Sequence, residues 1–129
     1  MVMLCSVAEA RMQIMVDTDA HDPWFNMMIP AISQAVLSWL KDDWRAYELA
    51  LDSNGDVIED SSGPIPQEDS NGPIVKPMVK AATLIELAVQ FRFRDGDGAP
   101  IVPATSGHGY ILSVGATALL NGVRKTTVR

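Results

Sequence analysis

A single cysteine, Cys5, leaves the chain with no partner for an internal disulfide. A secreted disulfide scaffold is therefore excluded, and the fold must rest on packing in a compartment that need not be oxidising. Histidine is almost as scarce, with only His21 and His108. A zinc site takes three or four ligands at characteristic spacings, and Cys5, His21 and His108 offer none of these, so no metal site is expected. Long hydrophobic runs are missing as well. The most apolar stretches, residues 78–89 and 110–120, are interrupted by Lys80 and Glu86 or reach about half of the roughly 20 residues a bilayer span requires. The opening Met1-Val2-Met3-Leu4-Cys5 runs into Glu9 and Arg11 without a basic flank or a long apolar core, so no signal peptide is read and a soluble protein is expected. With 129 residues and 14.0 kDa, the chain has room for one small domain and its core, not for two stacked enzyme domains.

Positive charge is absent from most of the first half. Residues 1–75 carry 3 basic side chains (Arg11, Lys41, Arg45) against 13 acidic ones, whereas residues 76–129 carry 7 basic against 3 acidic. The net charge of −6 thus divides into −10 and +4. Uneven solubilisation is one reading. The other is that one end meets a negatively charged partner while the acidic middle faces solvent or something that must not adhere.

The elements read mainly as helix. Ser6-Val7-Ala8-Glu9 has the form of a capping box, which starts a short helix over about residues 7–15. After the polar turn of Asp17, Asp19 and Asp22, Asp22-Pro23 supplies an N-cap and a proline at the first helical position. The second helix, residues 23–41, places Trp24, Phe25, Met28, Ile29, Ile32, Val36, Trp39 and Leu40 at spacings of three and four. Pro30 predicts a kink within it. Beyond Lys41, Tyr47, Leu49 and Leu51 alternate, and Asp52-Ser53-Asn54-Gly55-Asp56 supplies turn chemistry before Val57-Ile58. This reads as a short β-hairpin, with continuation of helix two through Leu51 as the alternative. Residues 59–75, with Pro64, Pro66 and Pro73, read as loop. Between Asp42 and Asp69 lie nine acids and one base, Arg45, so residues 42–75 form an acidic projection.

Lys76-Pro77 opens a third helix, running to about Phe93. Its only polar residues before Arg92 are Lys80, Thr83, Glu86 and Gln90, so it must be covered nearly all round, and its outer side is expected to meet another subunit. Asp95-Gly96-Asp97-Gly98 ends it. A loop over residues 99–110 precedes a short helical segment from Ser113 to Asn121, capped by Gly122. The remaining tail is basic, β-branched and, alone, extended and mobile.

No constellation for catalysis or a cofactor emerges. Asp52-x-Asn54-x-Asp56 imitates half of a calcium loop, but Val57 and Gly63 stand where that loop needs glycine and a bidentate glutamate. Gly107-His108-Gly109 lacks the third glycine and preceding strand of a dinucleotide site. Ser106 near His108 has neither a nucleophile-elbow motif nor an orienting acid. Asp42-Asp43 and Glu59-Asp60 sit in polar, solvated stretches, so acid–base catalysis by paired carboxylates is not indicated. Arg92, Arg94, Arg124, Lys125 and Arg129 are not interleaved with exposed aromatics, and a pI of about 4.7 is at odds with a nucleic-acid footprint. The chain is expected not to be an enzyme.

The order of elements resembles a known family. The capped first helix and acidic turn, followed by Asp22-Pro23-Trp24-Phe25 to Ala35-Val36-Leu37-Ser38-Trp39-Leu40, resemble the opening of the head–tail connector (adaptor) proteins of long-tailed bacteriophages. The helix beginning at Pro77 resembles their alanine- and leucine-rich second long helix. Ala118-Leu119-Leu120-Asn121-Gly122-Val123-Arg124-Lys125-Thr126-Thr127-Val128 is similar to their closing Ala-Leu-Leu-x-x-Tyr-Arg-Arg-Pro-Thr-Val. Pro30, Val123 and Thr126 depart from the pattern.

The resemblance implies a mainly α-helical subunit at the head–tail interface of a virion, made in the bacterial cytoplasm. It would assemble into a ring, typically of twelve copies, that joins the portal to the stopper or tail and extends the DNA exit channel. A helical domain over residues 1–118 would carry a docking tail over residues 119–129. Portal binding would fall to Leu119, Leu120, Val123, Arg124, Lys125, Thr126, Thr127, Val128 and Arg129. Asp52, Asp56, Glu59 and Asp60 would belong to a channel-facing or tail-facing loop, past which DNA slides without sequence-specific binding. A small oligomeric interaction module, regulatory or toxin-neutralising, is the alternative function.

Overall fold

The computed structural model describes residues 2–92 and 112–124. The capping box forms as the sequence predicts. The Glu9 amide donates to Ser6 Oγ at 3.1 Å and the Ser6 amide to Glu9 Oε1 at 2.8 Å, which starts α1, Val7–Ile14. Met15, in the left-handed region, ends it. The second helix, α2, is Asp22–Leu40, with its N-cap at His21, and it runs through Pro30 without a break. Asp22 does not cap it. Its carboxylate is drawn instead to Arg11, whose Nε donates at 2.8 Å and whose Nη2 makes a second contact, so the acid pins α1 to α2.

A 3₁₀ turn, Asp43–Ala46, follows α2. Helix two therefore stops before Trp44, and the hairpin reading of the following residues is the right one for Leu51 and Val57, which bridge across the turn at Gly55. The reading of residues 59–75 as loop is corrected. They form two small antiparallel hairpins, β1 (Glu59–Asp60) with β2 (Gly63–Pro64) and β3 (Glu68–Asp69) with β4 (Gly72–Pro73).

Residues 46–51 serve as the spine for all three turns. Ala50 accepts from the Ile58 amide and donates to the Ile65 carbonyl, Glu48 accepts from Gln67 and donates to Ile74, and the Ala46 carbonyl accepts from Lys76. Every second spine residue thus closes one turn, and the prolines fall where no ladder donor is used.

The third helix, α3, is Pro77–Arg92, packed against α1, α2 and α4 (Val114–Leu120). Phe91, near its end, stacks on Phe25 (6.0 Å) and meets Trp24 edge-on (5.3 Å), so α2 and α3 run antiparallel. The core is formed by Leu4, Phe25, Ile29, Ile32, Val36, Leu40, Val79, Leu87 and Leu120. This is a mainly helical small domain with two hairpins between the second and third helices.

Helix three is covered largely from within the chain, which revises the expectation that its outer side needs a second copy. The third cover is α4, whose N-cap meets Glu86, and both Thr83 and Glu86 on the polar stripe are fully buried. Thr83 is satisfied by the Val79 carbonyl at 2.9 Å. Glu86 Oε1 accepts the Ser113 amide at 2.7 Å and Oε2 accepts from Gln90 at 3.2 Å. A carboxylate in this position also faces the positive end of α4, whose N-cap is Ser113. Phe93, the Asp95–Gly98 stop and the loop over 99–110 lie outside the described residues.

Replacing Glu86 by alanine strands the Ser113 amide and removes the tie between α3 and α4. Urea denaturation of Glu86→Ala should show a loss of roughly 2–4 kcal/mol, with Glu86→Gln losing less because it can still accept from Ser113. An unchanged midpoint for the alanine variant would contradict this role.

Candidate functional site

The end of α2, the 3₁₀ turn and the segment after α4 converge on one junction. Helix α2 has no basic residue in its last turn, and the carbonyls there need donors. Arg124 supplies one from 85 residues away, its Nε donating to the Trp39 carbonyl at 3.0 Å while its guanidinium lies 4.2 Å from the Trp39 ring centroid. Arg45 completes the junction. It stacks on Trp44 at 4.6 Å, pairs with Asp42 at 3.1 Å, and donates through Nη1 to the Val123 carbonyl at 3.1 Å. Two guanidinium–indole stacks therefore clamp the chain at residues 123–124.

This clamp moves the root of the C-terminal segment. Leu120 is fully buried and Leu119 and Val123 pack against the core, so three of the residues assigned to the docking tail belong to the bundle, and α4 crosses the boundary drawn at residue 118. Arg124 is the clamp itself. Lys125, Thr126, Thr127, Val128 and Arg129 lie outside the described residues.

Asp52, Asp56, Glu59 and Asp60 lie on the first two turns of the projection. Asp52 Oδ1 accepts the amides of Asn54 (2.8 Å) and Asp56 (3.0 Å). Asp60 accepts from Ser62 and Asp69 from Asn71, each at 2.8 Å, and Gly55, Gly63 and Gly72 take positive φ. The chain thus repeats one device three times: Asp-Ser-Asn-Gly at 52–55, Asp-Ser-Ser-Gly at 60–63 and Asp-Ser-Asn-Gly at 69–72. Asp52 and Asp60 spend one oxygen each holding their turns, so that of these four Asp56 and Glu59 have no side-chain partner among the described residues. No hydrogen bond or ion pair joins Asp52, Asp56, Glu59 or Asp60 to residues 119–124, although the second turn reaches the clamp where Gly63 borders the Trp44 ring.

Other candidate groups have packing roles. His21 meets Phe91 edge-on at 5.0 Å. Cys5 is buried, and burial, with the nearby Glu9 charge, pushes its thiol up to about 12 against the opposing pull of Lys80, so it stays protonated and inert at neutral pH. An open groove of about 680 Å³ runs between residues 3–7 and the third turn, with Ile74 and Pro73 in its wall and the Glu9–Lys80 pair (2.8 Å) at its side. Ser106, Gly107, His108, Gly109 and Arg94 lie outside the described residues. Among the described residues no three His, Cys, Asp or Glu side chains converge as a metal site, and no helix is long and apolar enough to cross a membrane.

Sequence reading missed the Asp-Ser-Ser/Asn-Gly repeat and the clamp. The repeat was visible at spacings of eight and nine residues. The clamp had a fainter signal, Trp39 and Trp44 flanking the acidic stretch whose only base is Arg45.

No protein-family model, curated protein or solved structure matches this chain.

Two acid-sensitive ties hold α1. The Arg11 hydrogen bonds, with its charge, hold the Asp22 carboxyl below its ordinary 3.8 although burial opposes them. Burial pushes Glu9 up, but the hydrogen bonds from Lys80 and Ser6 and the Lys80 charge together hold it below its ordinary 4.5. Because both values are depressed, their stabilisation is complete at neutral pH and is lost as pH falls through the carboxylate range. Thermal melts should therefore show the midpoint dropping below pH 4.5, and the drop should shrink in Arg11→Ala/Lys80→Ala. At the clamp, Arg124→Ala should lower the midpoint at all pH values and speed amide exchange at the end of α2, whereas unchanged exchange there would contradict the capping role.

Proposed function

We propose that the chain is a non-enzymatic structural subunit of a phage head–tail connector, forming a ring of about twelve copies, as the family resemblance implies, in which heterologous contacts close. The ring would join the portal to the stopper or tail and extend the path of DNA. The observation that carries the reading is the clamp. A connector must present a docking segment from a fixed point on a rigid body, and two stacked arginines fix residues 123–124 at the end of α2, where the basic Lys125, Thr126, Thr127, Val128, Arg129 sequence begins.

A short, cationic, β-branched segment suits a partner groove, where backbone pairing and charge-assisted bonds add up. The separation of charge suits the same role. The acidic projection repels phosphate wherever it borders the DNA path, so that attraction does not accumulate along the moving duplex.

The test truncates the chain after Arg124. A cut at residue 119 would remove Leu120 from the core, whereas a cut after Arg124 leaves the bundle and clamp intact. The shortened protein should keep its helical circular dichroism and its melting midpoint but no longer co-sediment with purified portal rings of the same virus. Undiminished co-sedimentation would overturn the tail assignment, and a full-length protein that stays a monomer or dimer and never joins a portal would favour the small interaction module instead.

A further inference from the structure

The tip of the projection carries the densest exposed apolar surface outside the helices. Leu51, Val57 and Ile58 are 58%, 42% and 39% exposed, and they are rimmed by Asp52, Asp56, Glu59 and Asp60. The exposed parts of these apolar side chains, on a projection rather than in the bundle, add nothing to the core of their own chain. The clamp, whose Trp44 borders the Gly63 turn of its own chain, offers the complementary chemistry. Trp39 and Trp44 are half-buried there, Lys41 is exposed with no ion pair among the described residues, and Arg124 uses Nε alone, its Nη atoms having no partner among those residues. Asp42 is neutralised by Arg45, and Asp43 stands at the edge.

We infer that the acid-rimmed tip of one copy docks on the tryptophan–arginine clamp of the next copy, which makes this the contact that closes the ring. The inference rests on the connector reading and deepens it by assigning the tip to a neighbouring subunit rather than to the bore. Charge decides the geometry. Tip against tip would set four carboxylates against the same four, whereas tip against clamp sets Asp56 and Glu59 against Lys41 and Arg124. Tip and clamp are unlike surfaces, and a contact that the same two copies do not return propagates into rings or filaments instead of stopping at a dimer. Leu51, Val57 and Ile58 then meet the parts of the Trp39 and Trp44 rings that the stacked guanidinium groups leave exposed, and the clamp becomes part of the assembly, so that ring closure and tail presentation share residues.

The experiment uses full-length protein, with oligomeric state read by sedimentation velocity and native mass spectrometry, alone and with portal rings. Asp56→Lys/Glu59→Lys alters two side chains that bond to nothing among the described residues, so its circular dichroism should match the unaltered protein. It should weaken self-association by on the order of tenfold or more, and added salt should weaken the unaltered protein in the same direction. Leu51→Ser should do likewise with no change in charge. Lys41→Glu should fail to assemble alone but co-assemble with Asp56→Lys/Glu59→Lys, because the mixed contacts restore opposite signs. If rings form equally well with both tip variants, the tip contact is overturned while the connector reading stands. If the unaltered chain never associates, with or without a portal, both fall.

Discussion

A carboxylate buried without partners is among the costliest groups a small domain can hold, and α3 places Glu86 where no solvent reaches it. Its hydrogen bond from the Ser113 amide therefore constrains more than one helix end. It requires the chain to return to α3 at residue 113 and starts α4 over the polar stripe. Leu120 then enters the core, and residues 123–124 arrive at the end of α2, where Arg45 and Arg124 clamp them. The exit point of the basic C-terminal segment thus depends on a glutamate in the middle of another helix.

The projection follows a different logic. Its three turns bury little, and each holds together through an aspartate that accepts the amide two residues on and a glycine at positive φ. The spine supplies backbone bonds at every second residue, so the turns stack without a hydrophobic core of their own. Such a unit can carry a high density of negative charge and still be ordered, since its stability comes from local hydrogen bonds rather than from neutralised pairs. Bundle and projection thus differ in kind: the first roots the basic C-terminal sequence on a packed base, and the second extends an acidic surface with an apolar tip.

The sequence was legible wherever local chemistry decides the structure. Ser6 and Glu9 make the capping box, Pro77 starts α3 and the three-four spacing of Phe25, Ile29, Ile32 and Val36 finds the buried face of α2, because each depends on residues within one or two turns. Readings failed where a distant partner overrides local preference. Asp22 had the identity of an N-cap, yet Arg11 claims its carboxylate. Residues 59–75 have the composition of loop, and only the spine that receives them makes them hairpins. Glu86 lay on a polar stripe whose cover comes from a segment 27 residues later. Of the candidate site, Arg124 and the acidic residues were identified from sequence, but the division of residues 119–129 into a buried root and a cationic end depends on packing that no local pattern encodes.

Under the proposed connector function, the acidic tip and the basic end of the chain serve other molecules. Electron microscopy of the full-length protein mixed with portal rings addresses this most directly. The predicted image is a second ring, stacked coaxially on the portal and built from copies joined head to tail. Portal rings left bare beside scattered single globules would contradict it.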